Sequence, residues 1–216
     1  MKALAHIVPR TGADGFAERM RALVAALDDR GRASDVTVAG LERLPDDPFG
    51  PDVPFGFTLE LRGALAGLRS RVSGLGVALD DVVHADLSTL LIGEEAVFLE
   101  GGGPVRYQYL MRRRHDFDHA RYLARYRDVH SKFGLETPGI AGYVQLHVDP
   151  DASRSLAHEA GFGTWGVDSV SELHLESLET FLAAIAKSDV GGRAIEDEGH
   201  FVDRERSVAF VSRVVD

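Results

Sequence analysis

The second half of this chain alternates between two hydrophobic periods in a set order: strand, helix, strand, strand, helix, strand. That order constrains the fold more than any other feature. Residues 105–112, VRYQYLMR, alternate and place Tyr107, Tyr109 and Met111 on one face. Tyr122, Tyr126, His130 and Phe133 then recur at helical spacing, with Asp116 or Asp118 placed to cap the start and Gly134 just past the end. Residues 139–148 form the next strand, with Val144, Leu146 and Val148 on one face and Tyr143, Gln145 and His147 on the other. Asp149-Pro150 stops it, and 151–160 suits a short helix. A third strand over 166–175 sets Leu173 and Leu175 against Asp168, Val170, Glu172 and His174. Leu178, Leu182, Ile185 and Ala186 mark a helix capped by Ser177, and 207–215 is the closing strand.

Four antiparallel strands with two helices on one face leave the other face bare, and a bare face must be covered. The first half supplies a cover. It repeats the opening in fainter form: KALAHIVPR as a strand, Phe16, Met20, Leu23, Val24 and Leu27 as a helical stripe, SDVTVAGL as a second strand. Residues 45–56 are a Pro-, Asp- and Gly-rich loop. The stretch 57–75 fits a strand or a helix, and 86–99 reads as a hairpin turning near Gly93-Glu94. Residues 101–104, Gly-Gly-Gly-Pro, are a flexible joint between units 1–103 and 104–216. The expected architecture is α+β: two such units packed sheet on sheet as a pseudo-dimeric barrel, with a cavity between the sheets.

Composition removes several function classes. With 34 acidic and 24 basic side chains the formal charge is -10, which disfavours nucleic acid as a partner. No apolar run approaches the roughly 20 residues that span a bilayer. The N-terminal MKALAHIVPRTGADGF lacks the apolar core and cleavage site of a secretory signal. Without cysteine there is no disulfide frame, thiolate metal site or Cys nucleophile, and a cytoplasmic protein is the default expectation.

Chemistry is concentrated after the joint, where all five Tyr, the one Trp and seven of nine His lie. If the polar strand faces line the cavity, Tyr107, Tyr109, Tyr143, Gln145, Glu172 and His174 surround it, with Asp168 on the same strand face. Such a set suits proton transfer beside a carbonyl, decarboxylation or cyclisation. The proton-transfer group is expected to be His130, on the buried helical stripe beside Tyr126, or His147, with Glu172 as its acidic partner. The remaining motifs are weak. There is no Gly-x-Ser-x-Gly elbow, no Walker A and no dinucleotide fingerprint. His115 and His119 have metal spacing but flank Asp116 and Asp118 after three Arg, which reads as a solvated face. Arg112-Arg113-Arg114 reads as a solvated strand end.

The stretches YLARYRDVHSKFG, YVQLHV, WGVDSVSELHLESLETF and FVDRERSVAFV together resemble the EthD-domain family. Tyr122, Tyr126 and His130 match its helix pattern, Tyr143, Gln145 and His147 its next strand, and Asp168, Glu172 and Leu173 its third. Ser169 stands where the family usually has Gly. The resemblance covers 105–216, and the first half matches only in layout. It implies ferredoxin-like units in a dimeric α/β-barrel fold, whose relatives bind small hydrophobic molecules. It implies a cofactor-independent enzyme performing oxygenation, decarboxylation, isomerisation or cyclisation on a small aromatic or carbonyl compound. A non-catalytic carrier and a haem enzyme ligated by His130, His147 or His174 are the other readings. No cofactor and no metal site are expected, and a homodimer is compatible with the fold.

Overall fold

The structure is a computed structural model that describes residues 1–31 and 35–215. The first half contributes β1 (Lys2–Ile7), α1 (Phe16–Gly31), β2 (Thr37–Arg43), β3 (Phe57–Arg62), α2 (Leu65–Val72), α3 (Leu75–Ala78) and β4 (Thr89–Leu99). The second contributes β5 (Val105–Met111), α4 (His119–Arg125), a π turn (Tyr126–His130), α5 (Ser131–Glu136) and β6 (Gly142–Val148). Then come α6 (Pro150–Ala160), β7 (Ser169–Leu175), α7 (Leu178–Ile185), α8 (Val190–Glu198), a 3-10 turn (Arg204–Arg206) and β8 (Val208–Val215). The strands close into one antiparallel barrel in the order β1-β3-β2-β8-β5-β7-β6-β4. Closure removes every free sheet edge.

The 57–75 stretch is both of its alternatives in turn, strand β3 and then helix α2. The expected hairpin over 86–99 is instead one strand, β4. Gly93 is where β4 passes from one partner to another: Thr89 to Gly93 pair with β1, and Gly93 to Leu99 pair with β6. A side chain there would run into the backbone at His147, so Gly93 marks a close strand approach rather than a turn. The seams between halves are β4–β6 and β2–β8. Part of the expected second strand, Ser34, lies outside the described residues.

Caps fall where the sequence places them. Asp118 accepts from the Arg121 amide at 2.8 Å to start α4, Asp149 caps α6, and Ser177 caps α7. Gly134, expected past a helix end, lies inside α5. Helix α6 follows β6 in sequence yet packs across the seam on β4, α2 and α3, burying Leu156, Ala157 and Ala160 in the core of the first half.

All helices lie outside the ring, and side chains fill its interior. Leu4, Leu91, Leu110, Leu146, Val170 and Phe210 form the apolar part. A charged group occupies the other end. Lys2, fully buried, is bonded to Glu172 and lies 2.8 Å from Glu60 and 3.2 Å from Glu95. Gln108 donates to the other Glu172 oxygen at 2.9 Å. The expected cavity between two sheets is therefore filled, because an eight-stranded ring is just wide enough for side chains to meet at its axis.

Candidate functional site

The main cavity lies outside the barrel, between the outer face of the second-half strands and helices α5, α7 and α8. It measures about 480 Å³. Its floor is Tyr107, Tyr109 and Met111 of β5 with Ser171 and Leu173 of β7. Phe133, Phe181, Ile185 and Ile195 wall it, and Phe49 reaches in from the long loop of the first half. The Phe49 and Tyr107 rings meet edge to face at 5.0 Å. An apolar cleft with a few converging polar groups is the usual form of a small-molecule site.

Those polar groups are His130, Glu198, Arg204 and the tyrosine hydroxyls. His130 is the last residue of the π turn, an insertion of the kind often found at functional sites. Its Nδ1 donates to Asp197 at 2.9 Å, and its Nε2 lies 3.8 Å from a Glu198 oxygen. Arg125 also binds Asp197. Burial lowers the His130 pKa from its ordinary value, against the pull of Asp197. With Nδ1–H held by a carboxylate, Nε2 carries the free lone pair of a neutral imidazole. Burial opposes ionisation of Asp197, but its bond to His130 and the Arg125 charge outweigh this and hold it low.

Glu198 is the counterpart. Burial raises its carboxyl to about 7, although Arg204, 3.1 Å away, and the Tyr109 hydroxyl act in the opposite direction. Burial also lifts Tyr109 and Tyr143 to about 12 each, and Tyr107 well above its ordinary range. At neutral pH the cavity therefore presents a base, an acid near its midpoint and protonated phenols that donate hydrogen bonds.

The expected site residues divide into three groups. His130, Tyr107, Tyr109 and Tyr143 line the cavity. Tyr126 is buried behind it, its ring stacked 6.1 Å from Tyr122 and 6.0 Å from His130. Gln145 and His147 lie on the same outer face, beyond the cavity, in a file of hydrogen bonds. His147 Nε2 donates to Gln145 at 2.8 Å, and Gln145 donates to the Tyr143 hydroxyl at 2.6 Å. Burial lowers the pKa of His147. Glu172 and His174 face the barrel interior: Glu172 holds Lys2, and His174 Nδ1 donates to the Gly101 carbonyl at 2.8 Å. Asp168 lies at the barrel rim, where it accepts from the Arg113 amide at 2.8 Å and from His119 at 2.9 Å. His119, expected on a solvated face, is half-buried, and its Nε2 meets the Val148 carbonyl at 2.9 Å. Among the described residues no His, Asp and Glu cluster is arranged to hold a metal ion.

The face assignment is thus inverted for β5 and β6 and correct for β7. Val144, Leu146 and Val148 fill the barrel, while Tyr143, Gln145 and His147 pack under the helices. The expectation treated the helix side as the apolar side. In a closed ring both faces are buried, so apolarity no longer distinguishes them. On β6 the interior takes Val144, Leu146 and Val148, and the helix layer takes Tyr143.

Asp197, Glu198 and Arg204 were not anticipated. A signal was present: Val190, Ala194 and Glu198 are four apart, one face of a helix, and all three line the cavity. Gly134 is explained by the same cavity. A methyl group there would strike the buried Tyr143 ring. Gly134→Ala is expected to destabilise the protein by ~1–3 kcal/mol through overpacking, measured by urea unfolding. An unchanged midpoint would show that the ring moves freely.

Residues 114–205 match the EthD domain family. A search of curated proteins gives no match. Solved structures share the fold at low identity. An anthrone oxidase-like protein aligns with TM-score 0.61 at 11% identity, covering 100% of this chain and 91% of that one. A monooxygenase-like protein from Fusobacterium nucleatum subsp. nucleatum aligns at 0.59 and 6% identity, covering 100% and 92%. Chlorite dismutase from Candidatus Nitrospira defluvii, in complex with imidazole, aligns at 0.54 and 11%, covering 100% and 91%. No helix among the described residues is long and apolar enough to cross a membrane. The matched span runs from before α4 to the 3-10 turn and contains His130, Asp197, Glu198 and Arg204, so the candidate site lies within the EthD-matching part of a chain with an α/β-barrel fold.

Proposed function

We propose that this protein is a cofactor-independent enzyme that moves a proton on a small aromatic or carbonyl compound held in the main cavity. The observation that carries the reading is the His130–Asp197 pair, with Nε2 turned toward Glu198 at the wall of an apolar cleft. His130 takes a proton from an acidic C–H or O–H as general base, and Asp197 holds the ring and offsets the imidazolium charge. The oxygen that gains electron density is met by the Glu198 carboxyl, with Tyr109 and Arg204 beside it. The phenyl rings of Phe49, Phe133 and Phe181 suit a flat apolar body. Isomerisation and cyclisation through an enolate begin with this step, as does oxygenation of a phenol by dioxygen as the oxidant; in decarboxylation of a β-keto acid the Glu198 carboxyl instead supplies a proton to the carbonyl as carbon dioxide leaves. Turnover of members of a panel of phenols and β-keto acids is the expected result. Binding of the panel without turnover would assign the protein as a carrier.

The Glu198 environment gives a test that needs no substrate. Its folded-state pKa, about 7, is above the unfolded value near 4.5. The folded state therefore holds a proton that the unfolded chain has lost between those values. This contribution to stability is fully present below about 4.5 and is lost as pH rises through 7, ~3 kcal/mol in all at 1.36 kcal/mol per unit. Denaturant unfolding from pH 4 to 8 should show this decline in the wild type and not in Glu198→Gln. Parallel profiles for the two proteins would mean that Glu198 ionises normally.

One observation favours a haem enzyme as the second reading: a histidine whose Nδ1 is anchored by a carboxylate is a suitable axial ligand. As the side chains stand the group does not fit, because Glu198 occupies the Nε2 side at 3.8 Å. A Soret band in the purified protein would reverse this ranking.

The same proposal includes the origin of the architecture. The contiguous orders β4-β1-β3-β2 and β8-β5-β7-β6 are equivalent, which supports two ferredoxin-like units, 1–103 and 104–216, joined as a pseudo-dimer. A cytoplasmic location and homodimer formation complete the reading.

A further inference from the structure

A second cleft, of about 200 Å³, opens at the end of the barrel where β5 stops and β7 and β8 begin. Arg112, Arg113, Arg114 and Arg206 line it together with Asp168 and Asp203. With Asp116, which Arg114 binds at its edge, four cations face three anions and leave a local positive excess, in a chain whose formal charge is -10.

The four guanidinium groups are not equivalent. Arg113 is bound to Asp168, and its Nε donates to the Phe117 carbonyl at 3.1 Å. Arg114 pairs with Asp116 at 2.9 Å and donates to the Gly199 carbonyl at 3.0 Å. Arg206 has Asp203 at 3.8 Å, the outer limit of an ion pair. Arg112 has no carboxylate partner among the described residues, and its buried Nε has no hydrogen-bond partner at all. The Arg112 guanidinium is placed over the Trp165 ring at 5.7 Å, and its amide donates to Ser207 at 2.9 Å. It is thus fixed by groups that carry no charge of their own, and Asp203 and Asp168 act on it only at a distance. Burial lowers its pKa and the nearby Arg206 lowers it further, an effect that Asp203 and Asp168 offset only in part, so the two cations repel each other. An anion in the cleft that bridges the accessible ends of the two forks removes the repulsion between them.

We propose that this cleft binds the phosphate group of a small molecule, clamped between Arg112 and Arg206. The positive excess suits an anionic phosphate, and the planar guanidinium fork matches its oxygens. The volume holds one such group. The site is separate from the His130 cavity, since the 3-10 turn sends Arg204 to one and Arg206 to the other.

The test is calorimetric titration of the full chain with inorganic phosphate and with glycerol phosphate, at ionic strength held constant by chloride. Saturable binding is expected in the wild type. Arg112→Gln and Arg206→Gln should each weaken it at least tenfold, while Arg154→Gln on the exposed face of α6 leaves it unchanged. Because the Arg206 side chain is largely exposed, its variant keeps the test open if Arg112→Gln does not fold. Tighter binding of the ester would make the source a phosphomonoester, and equal binding would make it free phosphate. No binding above that of chloride, or equal affinity in Arg206→Gln, overturns the proposal.

Discussion

Replacing Lys2 with Met is expected to destabilise the protein by ~3–5 kcal/mol, the cost of leaving a buried carboxylate without its partner. Lys2 is on the interior face of β1 and wholly inaccessible to solvent. Burial by itself would lower its pKa, but Glu172 and then Glu60 outweigh that and hold it above the ordinary lysine value. Glu172 has its two oxygens on Lys2 and Gln108. Without Lys2 one of those oxygens is left in the core with no cationic partner. Glu60 keeps Arg62 and loses less. Denaturant midpoints measure the loss. The control is the double variant Lys2→Met, Glu172→Gln, which removes both charges and should recover a large part of it. If the single variant is as stable as the wild type, the charge cluster does not hold the barrel. The acid limb has the same origin. Burial opposes ionisation of Glu60, yet Lys2 and Arg62 depress its pKa to about 2. Its contribution is present above the unfolded value near 4.5 and is lost as pH falls toward 2.

For His130→Asn we expect turnover of any substrate found in the panel to fall by ~10²- to 10⁴-fold, with the fold intact. The asparagine amide can still donate to Asp197, so the π turn and α5 keep their anchor while the Nε2 base is gone. His147→Asn should change turnover little, because His147 bonds to Gln145 beyond the cavity wall. Wild-type rates in His130→Asn would remove histidine chemistry from the mechanism and favour the carrier reading. Loss of folding in that variant, with His147→Asn fully active, would make His130 a packing residue.

The order of elements over 105–216 was legible because each carries its own period and cap. Asp118, Asp149 and Ser177 start helices through bonds within three residues, which depend on local sequence alone. The stripe Tyr122, Tyr126, His130 and Phe133 is buried as its spacing requires. Gly93 and Gly134 were misread for a shared reason. Glycine serves both turns and close approaches, and only the neighbour across the gap tells them apart. Those neighbours, the His147 carbonyl and the Tyr143 ring, are 54 and 9 residues away in the chain.

What the sequence alone determined is whatever depends on near neighbours: the strand and helix order, the caps, the buried helical stripe, and the EthD resemblance carried by short motifs. The tertiary structure decided which strand face meets which layer. Alternation divides a strand into two faces, but in a closed barrel both are buried, and only ring closure says which is inside. That is why Tyr143 came to the cavity with the helices while Glu172 came to Lys2, a partner 170 residues away. It also decided the acid of the site. Glu198 is one of 34 acidic residues in the sequence, and only packing against the sheet beside Arg204 and His130 raises its carboxyl to about 7.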